Sequence, residues 1–410
     1  MYKLSIIISF ASYVLIFMLV PILINALGLD GIIYYRGSLK YEMIFNLCFT
    51  IFLSFLLVLF FTKSQKPFNL ENTARDKNLV IYLSFFILFW IFAFILGGGA
   101  DYRENDVSNG VINRSLILRT IFIFNGVVSI LCIYILHTKQ RNLVINNICN
   151  LIVIIFLLVN VYSGSRGFVV QIFMSYFIVR LLCVLDEKKV WKGIFIINIR
   201  KIFQNIRLLT KSIVLGFCFL GIIAFWGAQR DGFNDVTFSI LHRLSEPYWH
   251  FAYLEWSQNG SKLEVYSDSF GRIIYIIGRL FGMDINGTID GSGYYLQKYL
   301  DINIVQGVSL PITLVGHGFL SDGYRGVSIN IVISLIVLTF SIRVVKSFSQ
   351  YFGDITIYII SYQLSKAFFL YSKSLSGVFL YVGYEIIRDL ILLASLMALY
   401  KGVRFASNAR

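Results

Sequence analysis

Apolar runs long enough to cross a lipid bilayer recur along most of this chain. About 20 helical residues cross a bilayer core of about 30 Å, because each residue of an α-helix rises about 1.5 Å. A helix also satisfies its own backbone polar groups where no water is available. We predict ten spans, at residues 4–27, 41–62, 79–97, 117–137, 145–162, 167–185, 212–228, 327–345, 355–371 and 376–399.

The composition agrees with a membrane environment. Of the 410 residues, 57% are hydrophobic and 14% are charged, whereas soluble proteins carry about 25% charged residues. The five cysteines lie in or beside apolar runs, so no disulfide framework is indicated. The run at 4–27 is too long for the apolar core of a cleavable signal and predicts a first span instead.

The formal net charge of +14 could suggest nucleic-acid binding, but the positions of the basic residues indicate a topology signal. Alternate loops carry most of them, and such loops are expected on the cytoplasmic side. Both termini are then cytoplasmic, and we predict no nucleic-acid partner. The basic residues that follow spans 2, 4, 6, 8 and 10 are Lys63, Lys66, Arg75, Lys77, Lys139, Arg141, Lys188, Lys189, Lys192, Arg200, Lys201, Arg207, Lys211, Arg343, Lys346, Lys401, Arg404 and Arg410.

One long segment outside the membrane is expected between spans 7 and 8. We therefore predict an all-α integral membrane protein with seven transmembrane helices in 1–228, a large helical outer (periplasmic) loop segment in 229–326 and three helices in 327–410. The outer segment shows little strict alternation of polar and apolar residues, which favours short helices over strands. Within it, Arg272 and Arg279 are seven residues apart and share one face of a predicted amphipathic helix.

Two arginines at the predicted outer boundary are candidate phosphate ligands. Arg166 lies in the turn 163–167 between spans 5 and 6, and Arg230 follows span 7. The guanidinium is a planar fork of five donors that matches phosphate oxygens. The structural alternatives are a hairpin turn with a snorkelling side chain at Arg166 and pairing with Asp231 or Asp235 at Arg230.

The spacing of His242, Glu246 and His250 could suggest metal ligands on one helical face. Pro247 biases the residue before it away from the helical region, so this face is not continuous. The sequence contains no HExxH motif and no Cys–His cluster. We predict no metal site and no cofactor.

A glycine-rich segment at 307–326 precedes span 8. Its glycines are interrupted by His317, Asp322 and Arg325. We expect an irregular, tightly packed re-entrant element, because such backbone is tolerated at the membrane when it is buried in protein or lines a cavity. A structural loop is the alternative.

Four ionisable residues fall inside the last two predicted spans, namely Lys366, Glu385, Arg388 and Asp389. Charges at membrane depth are functional hypotheses by default. The spacing of the last three also allows internal pairing, and snorkelling near helix ends is a second alternative.

These motifs resemble the bacterial O-antigen and oligosaccharide-repeat-unit polymerases of the Wzy type. The resemblance spans roughly residues 145–345 and lies in the Ser-Gly-Ser-Arg-Gly turn at 163–167, Arg230, the outer segment and the glycine-rich segment. In that family the last element commonly reads Gly-Glu-x-Tyr-x-Asn-Phe-Gly-x-x-Gly. Its glycines are matched by Gly316, Gly323 and Gly326, whereas its Glu, Tyr, Asn and Phe are replaced by His317, Phe319, Ser321 and Asp322.

The resemblance implies a metal-independent glycosyltransferase on the outer face of the bacterial cytoplasmic membrane. The donor would be a repeat unit on undecaprenyl diphosphate, attacked at its anomeric carbon by a hydroxyl of a second lipid-linked unit. The group that takes the acceptor proton would be His317, Glu246 or His242, and imidazole titrates near neutral pH without help. The candidate substrate-binding residues are Arg166, Arg230, Arg243, Arg272, Arg279, Tyr324 and Arg325.

Two other functions use similar substrates. An O-antigen ligase takes the same donor, and a flippase moves lipid-linked oligosaccharides across the membrane. Transporters usually show paired broken helices in two similar halves, a pattern that we do not find in the sequence. Membrane lipids and a chain-length regulator protein are the further expected partners.

Overall fold

The computed structural model describes residues 2–26, 41–62, 77–98, 116–138, 142–162, 166–184, 313–353, 355–373 and 375–408. Every regular element in these ranges is a helix. Five of the helices are long and apolar enough to cross a membrane, at Lys3–Leu23, Glu42–Phe61, Asn78–Leu96, Leu143–Val161 and Leu314–Ser347. The prediction of an all-α membrane protein is confirmed for these ranges. The count of ten spans, the outer position of 229–326 and the sidedness of the termini stay predictions.

The helices are numbered in chain order. Two irregular turns interrupt them, a π-helical turn after α1 (Leu15–Leu19) and another before α13 (Phe379–Tyr384). A 3-10 turn (Leu370–Ser372) follows α11. The helices are α1 (Tyr2–Val14), α2 (Val20–Ala26), α3 (Tyr41–Phe61), α4 (Lys77–Leu96), α5 (Leu116–Ile123), α6 (Asn125–His137), α7 (Leu143–Tyr162), α8 (Arg166–Val184), α9 (Leu314–Ser347), α10 (Ser349–Phe352), α11 (Ile355–Phe368), α12 (Leu375–Val378) and α13 (Glu385–Asn408).

The described helices belong to two compact units. The first contains α1, α2, α3, the part of α9 that ends at Ile342, and the residues from Lys366 to Tyr384. The second contains α4 to α8, the residues from Arg343 to Ser365, and α13.

The first unit packs around one face of α3. Leu47, Ile51, Phe55 and Val58 recur every three or four residues and are buried, whereas Phe45, Phe49, Phe52 and Phe60 on the other side are exposed. This is the pattern of a helix with one protein-facing and one lipid-facing stripe. Tyr13 of α1 packs edge-on against Phe55, with ring centres 5.7 Å apart.

In the second unit, Trp90 of α4 lies at the centre of the packing. Its ring stacks on Phe94 at 5.1 Å and meets the edge of Phe156 at 4.9 Å. Its indole N–H donates to the carbonyl of Ile121 at 3.2 Å. That carbonyl lies where α5 ends, so the indole supports a point at which the regular helical bonding changes.

One predicted span differs from the observed helices. The predicted span 117–137 is divided at Phe124 into α5 and α6, because the Phe124 N–H bonds back three residues to Ile121 rather than four. The predicted span 327–345 lies within the part of α9 that follows non-helical backbone at Asp322 and Gly323. Hydropathy measures the length of an apolar run and is insensitive to such local breaks in the backbone.

Candidate functional site

The glycine-rich segment before the predicted span 8 forms a helical hairpin. α9 contains a sharp bend at Asp322 (φ −154°, ψ 33°) and Gly323 (φ 60°, ψ −138°). The conformation of the second residue favours glycine, because a Cβ is strained there. A short arm precedes the bend and a long arm follows it. The expected irregular, tightly packed backbone is confirmed for 313–326, whereas its re-entrant position in a membrane stays a prediction. Residues 313–330 are called the glycine hairpin below.

Two glycines allow the arms of the hairpin to touch. A Cβ on Gly318 would overlap the backbone N and Cα of Val327 and lie 2.7 Å from its Cγ2. A Cβ on Gly326 would overlap the carbonyl oxygen of Gly318 and lie 2.5 Å from the Ser321 hydroxyl. Neither position has room for a larger residue, so the sequence requires glycine at both.

Hydrogen bonds hold the hairpin together at the end away from the bend. The Asn330 amide on the long arm donates to the carbonyl of Leu314 at 3.1 Å. Thr313 caps the short arm, since its hydroxyl oxygen accepts the N–H of Gly316 at 3.3 Å. The first turn of the short arm is therefore held both by its own cap and by the opposite arm.

Three candidate site residues lie on the glycine hairpin. His317 is on the short arm, where residues 313–320 are all buried, and it is 8% exposed. Tyr324 begins the long arm, donates to the carbonyl of Met43 on α3 at 3.4 Å and meets the Phe319 ring edge-on at 5.4 Å. Arg325 faces outward, with its side chain 83% exposed.

Arg325 makes a weak surface contact. Its Nε lies 3.7 Å from a carboxylate oxygen of Asp322, whose side chain is 44% exposed. Solvent screens such a pair, and exposed pairs typically contribute less than about 1 kcal/mol. The structure thus brings His317 and Tyr324 into the packed part of the hairpin and leaves Arg325 at its surface.

The other candidates fall elsewhere. Arg166 is the first residue of α8, and its side chain is not among those described. The remaining candidates lie outside the described residues, namely His242, Glu246, Arg230, Arg243, Arg272 and Arg279. The predicted convergence of Arg166, Arg230 and Arg243 near His317 stays a prediction.

A second cluster lies where the regular helical backbone is interrupted between α11 and α13. Lys366, near the end of α11, is fully buried. Its ammonium donates to the carbonyl oxygen of Tyr381 at 2.7 Å and lies 4.7 Å from the centre of the Tyr381 ring. The ammonium of Lys373 lies 4.6 Å from the centre of the same ring. Lys366 and Lys373, with Tyr381 between them, are called the lysine pair.

The irregular backbone between α11 and α13 brings these three side chains together. After the 3-10 turn, Lys373 adopts an extended conformation (φ −102°, ψ 148°), and Tyr381 lies on the π-helical turn. Irregular backbone of this kind is common at functional sites in helical proteins. Snorkelling, the alternative predicted for Lys366, does not occur, since its ammonium bonds inside the protein.

Contacts from α1 stabilise the irregular segment that follows α11. The hydroxyl of Ser9 donates to the carbonyl of Ala367 at 2.9 Å, a carbonyl in the last turn of α11 that has no helical partner of its own. Tyr371 on the 3-10 turn packs edge-on against Tyr13 and Phe17, with ring centres 6.4 Å apart in both pairs. These contacts fix the segment that carries the lysine pair.

The second unit contains the buried ion pair that the sequence suggested. The Arg388 Nη2 and Nε atoms lie 2.8 and 3.1 Å from Asp389 Oδ1, and Asp389 is 1% exposed. The carboxylate packs against Gly126 of α6, where a Cβ would overlap it. Of the internal pairing that the spacing of Glu385, Arg388 and Asp389 allows, the contact between Arg388 and Asp389 is observed, and the space for it depends on Gly126.

The function of these clusters is not indicated by a metal centre among the described residues, and it is not indicated by a known relative. Within the described ranges, no three His, Cys, Asp or Glu side chains are grouped so as to hold a metal ion. No protein-family model, no curated protein and no solved structure matches the chain. The glycine hairpin and the lysine pair are therefore the candidate functional elements.

Proposed function

We propose that the protein is a membrane glycosyltransferase that polymerises undecaprenyl-diphosphate-linked oligosaccharide repeat units on the outer face of the bacterial cytoplasmic membrane. The observation that carries the proposal is the glycine hairpin. It forms from the segment whose sequence resembles the Wzy-type polymerases, and it holds His317 in a buried arm with 8% exposure.

The proposed reaction needs one proton acceptor and a stabilised leaving group. The acceptor hydroxyl oxygen bonds to the anomeric carbon of the donor, the bond from that carbon to the diphosphate oxygen breaks, and the hydroxyl proton passes to a base. A neutral imidazole suits this role near pH 7. Cationic side chains near the diphosphate stabilise the charge that develops on it, so the chemistry does not require a metal ion.

The hairpin gives His317 the rigidity that a base needs. Backbone of one arm contacts backbone of the other at Gly318, the next residue along, and Asn330 bonds across the arms at 3.1 Å. A catalytic group must be held to within about 0.5 Å of its productive position. A residue on a packed helical arm meets this requirement better than one on an isolated loop.

The glycan made by a strain that lacks this chain tests the proposal. Loss of a polymerase leaves single repeat units transferred to the final acceptor, whereas loss of an O-antigen ligase leaves polymer on the lipid carrier. Complementation with the wild-type chain should restore long glycan. Polymer of normal length on the carrier in the deletion strain would exclude polymerase activity and favour the ligase.

The interruption of the helix after α11 favours a second candidate function, that of a flippase for lipid-linked oligosaccharides. Discontinuous helices that carry charged residues are typical of transporter sites, and the break after α11 carries the fully buried Lys366. Loss of a flippase would leave lipid-linked units on the cytoplasmic face, where an impermeant glycosidase added to spheroplasts cannot cleave them. Loss of a polymerase would leave them accessible outside.

A further inference from the structure

We propose that Tyr176 and Arg180 of α8 form a binding site for the phosphate group of a phospholipid in the cytoplasmic leaflet. Both residues lie in the second unit, on the helix Arg166–Val184. The site is separate from the glycine hairpin and from the lysine pair, and the proposal does not depend on the proposed glycosyltransferase activity.

The two side chains are joined across one turn of α8. The Nε–H and Nη2–H groups of Arg180 donate to the hydroxyl oxygen of Tyr176 at 3.1 and 2.8 Å. These two groups share one edge of the guanidinium, and the phenolic oxygen has two lone pairs to accept them. The guanidinium is therefore held against its own helix by a neutral partner, which does not compensate its positive charge.

The donors that remain on this pair point to an anion. Arg180 keeps the fork formed by Nη1 and the second hydrogen of Nη2, and Tyr176 keeps its O–H hydrogen. Among the described residues, no carboxylate pairs with Arg180 and no oxygen accepts these hydrogens. Nη2 and the phenolic oxygen are 2.8 Å apart, so a single anion is within reach of both.

The chemistry of these donors matches a phosphate group. The fork of an arginine binds two phosphate oxygens at once, and such charge-assisted hydrogen bonds are about twice as strong as neutral ones. The phenol of Tyr176 supplies one more donor beside the fork. The pair thus offers a phosphate three hydrogen bonds and one uncompensated positive charge.

The surface of α8 beside the pair suits an acyl chain. Phe173, Tyr176, Phe177 and Arg180 recur every three or four residues and are half-buried, whereas Val179 next to them is fully buried. Residues at this spacing share one face of a helix. The two phenylalanines precede the polar pair along the helix, so a lipid that places its phosphate at Arg180 has an apolar surface for its chain.

The position of the pair along the chain selects the leaflet. Arg180 lies about 6 Å along the helix axis from the end of α8 at Val184. The predicted topology assigns this end to the cytoplasmic side, because the segment 186–211 carries seven basic and two acidic residues. The same excess of positive charge attracts anionic phospholipids to this face of the membrane.

The test measures lipid binding by native mass spectrometry of the full-length protein in dodecyl maltoside, a detergent without phosphate. Three probes are titrated separately, namely phosphatidylglycerol, a diacylglycerol with the same acyl chains, and inorganic phosphate. The variants are Arg180→Gln, which removes the charged fork, and Tyr176→Phe, which removes the hydroxyl and keeps the ring. Arg343→Gln is the matched control, since Arg343 is an exposed arginine near the end of α9, predicted at the same side of the membrane. Thermal unfolding shows whether each variant keeps its fold.

We expect Arg180→Gln to weaken phosphatidylglycerol binding about tenfold or more, because hydrogen bonds from a charged group to phosphate are lost. Tyr176→Phe should weaken it about two- to tenfold, since one neutral donor is removed. The Arg343→Gln variant should bind phosphatidylglycerol like the wild type. Diacylglycerol should bind more weakly than phosphatidylglycerol to the wild type and equally to all variants.

Four results would overturn the site. The first is equal phosphatidylglycerol binding by the wild type, Arg180→Gln and Tyr176→Phe; if Arg180→Gln does not fold, Tyr176→Phe alone decides. The second is diacylglycerol binding as tight as that of phosphatidylglycerol, because the acyl chains would then explain the affinity. The third is equal weakening by Arg180→Gln and Arg343→Gln, which would show a general effect of positive charge. The fourth is inorganic phosphate that binds as tightly as phosphatidylglycerol, which would exclude a lipid as the specific ligand.

Discussion

Replacing Gly318 with alanine should separate the two arms of the glycine hairpin. The added Cβ would overlap the backbone N and Cα of Val327 and lie 2.7 Å from its Cγ2. Carbon atoms in ordinary contact are about 3.5 to 4.0 Å apart, so the arms must move by about 1 Å. Because the obstructing atoms are mostly backbone, a change of rotamer cannot relieve the overlap.

We expect Gly318→Ala to destabilise the protein by about 1–3 kcal/mol, the usual cost of overpacking a closely packed site. Chemical unfolding of the purified protein in detergent measures this cost. Gly402→Ala on α13 is the matched control, since nothing lies within 4 Å of the position where its Cβ would be. It should be neutral or stabilising by up to about 1 kcal/mol, because alanine is the better helix former. Equal stability of the two variants would refute the contact between the arms.

Three further results are expected. Gly126→Ala should displace the Asp389 carboxylate and destabilise the protein by about 1–3 kcal/mol in the same unfolding assay, the usual cost of overpacking a closely packed site; stability equal to that of Gly402→Ala would contradict it. Arg166→Lys should reduce glycan polymerisation in complemented cells, since a point charge replaces a bidentate fork, and full activity would indicate a structural role. Reporter fusions at Arg207 and Gly260 should report the cytoplasm and the outside respectively, and a cytoplasmic signal at Gly260 would exclude the outer segment.

The helical membrane architecture could be predicted because it depends on local composition. The predicted spans 41–62 and 79–97 agree closely with α3 and α4, since an uninterrupted apolar run leaves the backbone no alternative to a helix in lipid. The break at Phe124 could not be predicted in the same way. It depends on a three-residue backbone bond and on the indole of Trp90, a residue distant in sequence.

The candidate site could be predicted from the sequence in part. The glycines at 316–326 indicated close packing, because glycine is required where backbones approach each other. The lysine pair cannot be predicted as a unit. The sequence marks Lys366 as an intramembrane charge, but Lys373 and Tyr381 are brought to it by a 3-10 turn and a π-helical turn, and neither turn has a signature in the hydropathy of this segment.

Glycan chain length in a deletion strain that expresses His317→Ala tests the central claim most directly. A general base typically contributes about 10²- to 10⁴-fold to the rate, so this variant should yield single repeat units even when its abundance in the membrane equals that of the wild type. Gly402→Ala serves as the control and should restore the full ladder of chain lengths. We expect no long glycan from the folded His317→Ala protein with retained donor binding, and long glycan at wild-type levels would contradict the role of His317 as the base.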